Sequence, residues 1–388
     1  MHSPRKICID LRPLETGNKF RGYGYYIKNL VSNIVECDKK NRYTFIVYSK
    51  KNFFLDELND SNHGVFVMDT PKIRPRFWWI VDQFLLSRAI KHIAPNVYVS
   101  LDTNLPFLVA LNRRLKTVVT IHDIIPIALK DEYCLPLDRA LECRIKFSAA
   151  RRATKIVTIS EFSKRDIVEN LNVDEKRISC IYESTDNTFK KPNQKVIDHA
   201  VEKFAFKKKY IMTVGDYYGI DPRKNYLFLI EAFARFIQFD KNNDLLLLFV
   251  GKSGGVENEY SKIISRARQL GVKDKIVFTG FVSDEQLAAL YSGARAFAYP
   301  TKYEGFGLPI LQAMSCGCPV VAANNTSIPE VAGAAAELFE TENTKSFIES
   351  LDRVMKNRAK YEALGYENIK RFSWRKAAQE FIKLIESV

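Results

Sequence analysis

The chain has 388 residues, 46% of them hydrophobic and 27% charged, which excludes a disordered polymer and leaves room for about two domains of ordinary size. The formal net charge is +14, and the seven cysteines form no C-x-x-C unit with histidines at zinc spacing, which points to reduced thiols rather than a disulfide framework or a structural zinc site. No run of about 18 apolar residues occurs and the opening MHSPRKICID has no apolar core of signal-peptide length, so neither a membrane span nor a secretion signal is expected.

Ile7 to Asp10 reads as a short buried strand, followed by a glycine-bearing loop, RPLETGNKFRGYGYY, and a helical stretch, IKNLVSNIVE. Short apolar runs then alternate with amphipathic ones. TFIVYS, NVYVSL, KTVVTI and KIVTI read as strands, whereas LDRALECRIKFSAARRA and SEFSKRDIVENL read as helices, the latter capped by Ser160. A polar, lysine-rich interval near residue 190 marks the expected domain boundary. Beyond it the pattern repeats through the strands YIMTVG, DLLLLFVG, KIVFTG, AFAYP and PVVAA with helices between them, and the closing FSWRKAAQEFIKLIESV reads as an amphipathic helix. Continuous apolar strands separated by helices predict parallel sheets covered on both faces. The expected fold is therefore α/β, with two doubly wound Rossmann-like domains facing each other across a cleft, and ligands at the carboxyl ends of the strands.

The stretch YEGFGLPILQAMSCGCPVVA lies after such a strand end. Gly305 and Gly307 allow close backbone approach, and Pro309 suits a first helical turn whose free amides can take a phosphate. Glu304, just ahead of that turn, is placed to accept from hydroxyls. Phosphate plus polyol describes a nucleotide sugar; packing glycines in an ordinary strand-to-helix turn describe the same residues equally simply. In VGDYYGIDPRKN, Arg223 and Lys224 are either an exposed basic turn or a grip for a diphosphate. VGKSGG is not a P-loop, because Leu246 stands where the Walker glycine belongs, but Lys252 can supply a third cation from a strand end. In the first half, TIHDIIPI places His122 at the end of a strand, and RGYGYY offers Gly22 and Gly24, with Ile27 in place of a third glycine.

These segments, with FTGFVSDEQLAALYSGA, IPEVAG and SEFS, resemble the retaining glycosyltransferases of family 4, which have the GT-B fold. The resemblance covers most of the chain. It implies an acceptor-binding domain over residues 1–190, a nucleotide-sugar-binding domain over 191–370, and a helix at 371–388 that returns to the first domain. It also implies a nucleotide-diphospho-sugar donor, no cofactor and no obligatory metal. Arg223 and Lys224 would hold the donor diphosphate, and Glu304 would contact the transferred sugar. The amides of Phe306, Gly307 and Leu308 would meet sugar and phosphate, and His122 would sit over the anomeric region. Gly22 and Gly24 would let the first domain close over the phosphates. No enzymatic base is expected, since the donor phosphate takes the acceptor proton in front-face attack.

The family pattern places a second glutamate at the position of Gln312, where it binds the nucleotide ribose. An amide offers one acceptor oxygen and a donor NH₂, so ribose binding survives with a weaker grip, by about 1 kcal/mol. Tyr25, Glu183, Ser184 and Ala334 also depart from the pattern. The expected activity is transfer of mannose from GDP-mannose to a lipid-linked glycan in surface polysaccharide synthesis of the O-antigen type. Expected partners are the donor, that acceptor and an anionic membrane surface, with the stretch RPRFWWIVDQFLL suited either to docking or to a buried helix or lid. The expected location is cytoplasmic, peripheral on the inner face of the plasma membrane. Dispersed basic residues without a recognition signature argue against nucleic acid. The alternative suggested by Gln312 is a catalytically silent subunit that binds a nucleotide sugar or glycan for a partner enzyme.

Overall fold

The computed structural model describes residues 3–17, 22–49, 54–55, 58, 63–68, 78–130, 136–217, 221–239, 244–252 and 259–388. The chain divides into two compact units, Met1–Glu183 with Ser373–Val388, and Ser184–Phe372.

The first unit is built on seven strands, β1 (Lys6–Asp10), β2 (Arg42–Val47), β3 (His63–Val67), β4 (Val97–Ser100), β5 (Lys116–Thr120), β6 (Lys155–Thr158) and β7 (Ile178–Cys180). Their order is β3-β2-β1-β4-β5-β6-β7, with parallel pairing throughout. All four residues of β4 are buried, as a strand covered on both faces requires. Cys8, Tyr98, Val119 and Ile156 share one core with Leu86 and Ile90 of the Trp78–Ile93 helix. Ser160 caps the Glu161–Leu171 helix by accepting from the Ser163 amide. The GYGYY segment, expected as a loop, is instead the opening of the Gly22–Cys37 helix, whose buried face begins at Gly24 and Tyr26.

The closing amphipathic segment forms the Trp374–Glu386 helix, capped by Ser373, and it packs against the Gly22–Cys37 helix. Trp374, Ala377, Ala378, Phe381 and Ile385 repeat at helical spacing and are all buried. At its other end the Arg5 guanidinium donates to the carbonyls of Ile385 (2.9 Å), Glu386 (2.9 Å) and Val388 (2.7 Å). A cation at a helix C-terminus both satisfies orphan carbonyls and opposes the negative end of the dipole.

The second unit holds six strands, β8 (Tyr210–Val214), β9 (Leu246–Val250), β10 (Ile276–Gly280), β11 (Ala296–Tyr299), β12 (Val320–Ala323) and β13 (Ala336–Phe339). They run in the order β10-β9-β8-β11-β12-β13, again in parallel. An aromatic-rich core around Phe233, Phe249, Phe339 and Phe347 sits under the Tyr226–Phe239 helix. The lysine-rich interval after residue 190 contains a helix, Gln194–Ala205, that belongs to this unit and lies on the Asp284–Gly293 helix. Its apolar stripe is narrow, with Ile197, Ala200 and Ala205 buried among lysines. Among the described residues no helix is long and apolar enough to cross a membrane.

Replacing Arg5 with Ala removes three charge-assisted bonds at once. Urea unfolding monitored by Trp374 fluorescence is expected to show a loss of about 2 kcal/mol, and an unchanged midpoint would mean that water serves those carbonyls equally well.

Candidate functional site

In each sheet the strand order reverses once, between β1 and β4 in the first unit and between β8 and β11 in the second. Loops leaving the carboxyl ends of the strands at such a reversal diverge and leave a crevice for a ligand. In the second unit those loops are the Asp221–Asn225 turn after β8 and the Thr301–Gly307 segment after β11.

The two loops are joined by a compact ionic cluster. Glu304 Oε1 lies 2.7 Å from Arg223 Nη1, 2.7 Å from Lys224 Nζ and 3.1 Å from Thr301 Oγ1. Arg223 also donates to Asp221 (2.8 Å) and to the Tyr303 carbonyl (3.2 Å), while its own carbonyl accepts from the Lys302 amide (2.7 Å). Lys224 sits 5.4 Å from the centre of the Tyr299 ring. Burial disfavours the Glu304 carboxylate, yet Arg223 and Lys224 outweigh that penalty and hold its pKa at about 2. With two cations and two carboxylates the cluster is neutral, so Arg223 and Lys224 are not standing idle for a phosphate. They are preorganised by Glu304 and Asp221 at the strand ends.

Immediately after this cluster Gly307 takes φ +99° and forms the N-cap of the Leu308–Ser315 helix, with Pro309 in its first turn. A Cβ on Gly307 would come within 2.9 Å of Ile328 Cδ1, so both backbone sign and space demand glycine. The first amides of this helix lack intrahelical acceptors and form a ready anion cradle. The Phe306 ring is buried edge-on against Phe372 (5.8 Å). Gln312 lies one turn into the helix and is nearly buried. The segment after β12 supports the cradle. Ser327 Oγ is 2.9 Å from the carbonyls of both Glu304 and Phe306, and Thr326 Oγ1 accepts from the Glu304 amide (3.2 Å). Lys252 is exposed and takes no part in the Glu304 cluster; its carbonyl accepts from the Tyr217 amide (2.8 Å) and so couples the loops after β9 and β8. The rest of the P-loop look-alike, residues 253–255, lies outside the described residues.

In the first unit His122 follows β5 and is buried. Its Nε2 stands 3.0 Å from the Leu101 carbonyl, an acceptor only, so Nε2 carries the proton and Nδ1 is left as the acceptor. Burial pulls the imidazole down to about 4, against a smaller upward effect of that carbonyl, so it is neutral at pH 7. Tyr23 and Tyr26 meet the ring edge-on, each at 4.6 Å, and Trp374 of the returning helix backs Tyr26 at 5.8 Å. Gly22 opens the same helix, is exposed, and has open space where a Cβ would stand; Gly24 is buried.

Sequence reasoning grouped Arg223 and Lys224 as one feature and Glu304 as another, and it missed Asp221, Thr301, Thr326 and Ser327. The spacing of DPRKN and EGFG carries no sign of contact, since only strand order makes them neighbours. Tyr23 and Tyr26 were legible in principle, being three residues apart and so on one helical face.

The family described as Glycosyltransferase Family 4 matches residues 20–188, and that described as Glycosyl transferases group 1 matches residues 195–371, one for each unit. The chain belongs to the family 4 glycosyltransferases, and its pair of parallel Rossmann-like sheets is the GT-B fold. Among its relatives is the serotype-specific mannosyltransferase WbdA of Escherichia coli, 25% identical over 98% of this chain. Another is the O-antigen chain mannosyltransferase B of Escherichia coli, 29% identical over 69% of each chain. The chain spans between 34% and 48% of the length of the three WbdA proteins it matches. A similar solved structure is Anabaena HepE in complex with UDP and glucose, with a TM-score of 0.75 over 99% of this chain and 100% of that one, at 18% identity. At that identity the likeness is one of fold.

Two measurements test this electrostatic account. Glu304→Ala strands two cations and is expected to cost about 3 kcal/mol in urea unfolding, and Glu304→Gln roughly half as much; equal, negligible losses would show the cluster to be dispensable. For His122, the unfolded chain binds a proton near pH 6.5 and the folded chain only near 4, so the unfolded state holds more protons in that interval. Stability is therefore fully present above pH 6.5 and falls by about 3 kcal/mol as pH drops to 4. His122→Gln is expected to remove that part of the pH dependence.

Proposed function

We propose that the protein is a retaining mannosyltransferase that moves mannose from GDP-mannose onto a lipid-linked glycan in O-antigen-type surface polysaccharide synthesis. The observation that carries this reading is the Glu304 cluster at the strand-order reversal of the second unit, directly beside an open helix N-terminus. The mannosyltransferase relatives support the choice of sugar.

In this reading the donor diphosphate lies on the amides around Gly307 and Leu308, and Arg223 and Lys224 stabilise the charge that grows on it as the glycosidic bond breaks. Both cations are already fixed, so no reorganisation is needed when the charge appears. Glu304 accepts from donor-sugar hydroxyls through Oε2, the oxygen that its two cations and Thr301 do not use. Gln312 accepts from one ribose hydroxyl. Within the first unit His122 is neutral, and its Nδ1 is a hydrogen-bond acceptor that adds no positive charge. The acceptor hydroxyl loses its proton to the departing phosphate while attacking on the same face, so configuration is retained and no side chain serves as base. Since the fit of the cluster is to phosphate and hydroxyl, the reading calls for no cofactor and no metal.

Thermal stabilisation by GDP-, UDP-, ADP- and TDP-sugars, each beside its bare diphosphate and without added metal, tests the reading. A shift of several degrees with GDP-mannose together with its turnover is the expected result. Binding without turnover, given any lipid-linked acceptor, would favour the catalytically silent subunit. Gln312→Glu is expected to tighten the donor KM up to about fivefold, equivalent to about 1 kcal/mol, with little change in kcat.

A further inference from the structure

The first unit has a strand-order reversal of its own, between β1 and β4, and three carboxylates gather at it. Asp10 ends β1 opposite Ser100, the last residue of β4, and Asp102 follows two residues later. Asp82 joins them from the Trp78–Ile93 helix. Arg12 is the cation between them. Its Nε and Nη2 donate to Asp10 (2.8 and 2.7 Å) and its Nη1 to Asp82 (2.6 Å), so both ends of the guanidinium are engaged before Asp102 is reached. Asp102 Oδ1 accepts from the Ser100 hydroxyl and the Asn104 amide, both at 2.9 Å, whereas Oδ2 has no hydrogen-bond partner among the described residues. Lys146, on the Leu137–Ala150 helix, is paired with Glu142 at 2.8 Å. Burial, and after it Asp10, raise the Asp102 carboxyl above its ordinary range, with Lys146 opposing them. The residue is nevertheless only half-buried, and a group that protein surrounds while solvent still touches it lies in a hollow.

A second, independent feature belongs to the same place. Tyr98 stands two residues before Ser100, on the same face of the sheet, and is fully buried. Its hydroxyl has no hydrogen-bond partner among the described residues, a rare condition for a buried polar group. Burial, and after it Asp10, push the Tyr98 phenol well above its ordinary value, and Asp102 adds to the effect, so the oxygen lies near both carboxylates. One chemical group suits the phenol and Asp102 together. A ligand hydroxyl can accept from the Tyr98 O–H and donate to Asp102 Oδ2. An ionised carboxylate or phosphate has no proton for Asp102, and it would meet three carboxylates whose guanidinium is already engaged. An ammonium group can donate to Asp102 but cannot accept from Tyr98. The same loop carries the Leu101 carbonyl that orients His122 (3.0 Å), so a hydroxyl bound at Asp102 is one residue from the histidine's anchor.

We infer that Asp102 and Tyr98 form a hydroxyl-reading site in the first unit that selects an uncharged sugar and rejects uronic acids and sugar phosphates. The name of the ligand, the sugar that is to be extended, rests on the glycosyltransferase reading; the site itself is argued from this unit alone. Sugar binding without donor therefore tests it separately from transfer.

The test is saturation-transfer NMR on the full chain without donor. Methyl α-mannoside and methyl α-galactoside serve as neutral probes, methyl β-glucuronide and mannose 6-phosphate as acidic ones. A neutral probe is expected to receive saturation and the acidic ones not, and the backbone amides of Asp102 and Asn104 are expected to shift as it is added. Asp102→Asn keeps an acceptor for the Ser100 and Asn104 bonds and is expected to weaken neutral binding about tenfold. Tyr98→Phe is expected to weaken it about fivefold without lowering the melting temperature, since the hydroxyl it removes is unpaired in the free chain. Acidic probes that bind as well as neutral ones, no saturation of either neutral probe, or amides that stay in place would overturn the inference. So would Asp102→Asn binding at wild-type strength. If Asp102→Asn lowers the melting temperature, Tyr98→Phe and the wild-type amides decide. Donor turnover in a chain that fails these tests overturns the site and leaves the proposed function standing. Sugar binding through Asp102 in a chain inert toward every donor supports the site and removes that function.

Discussion

The convergence of Arg223 and Lys224 on one oxygen of Glu304 is the interaction on which the ligand edge of the second unit depends. Ions this deep lose hydration, and the loss is tolerated only because each partner is supplied at hydrogen-bond distance. The pairing draws the turn after β8 to the loop after β11; the Lys302 amide, donating to the Arg223 carbonyl, ties the two together, and the Ser327 hydroxyl, donating to the Glu304 carbonyl, holds the second loop in place. The cations that would face a leaving diphosphate are therefore oriented before a ligand arrives. Electrostatic catalysis rewards this arrangement, because dipoles and charges already in place need not be reorganised as the reaction proceeds.

The first unit solves a different problem by different means. Among the described residues His122 has no carboxylate partner; it is kept neutral by burial, oriented by a carbonyl and gripped by two tyrosine edges. The helix that begins at Trp374 supports Tyr26 from behind, and Arg5 fastens the far end of that helix to the start of β1. Residues more than 300 positions apart thus set the surroundings of one imidazole. A change near the end of the sequence can reach the site through Tyr26 without touching any ligand.

Much of the architecture was legible. Central strands such as YIMTV and VVAA are short apolar runs bounded by turn residues, and they appear where expected. The strands that escaped notice, β3, β7 and β13, all lie at sheet edges. Their residues are partly exposed, so HGVFV, ISC and AELF carry no continuous apolar run. The helix at Gln194–Ala205 was hidden for a related reason, since lysines on its solvent face dilute its apolar stripe. Helix caps fared better, because Ser160 needs only its own local sequence to act.

The sequence by itself determined the α/β class, the alternation of strand and helix, and the chemical types at the site: a carboxylate, a cation pair, a glycine turn and a strand-end histidine. These follow from local spacing and from the conformational limits of glycine and proline. Tertiary structure alone decided that Glu304 and Lys224, 80 positions apart, are one ionic unit with a carboxyl pKa near 2, and that His122 is uncharged. Both outcomes depend on distance and desolvation. Neither quantity is encoded in local periodicity; both arise only when the order of strands brings particular loops together and closes water out.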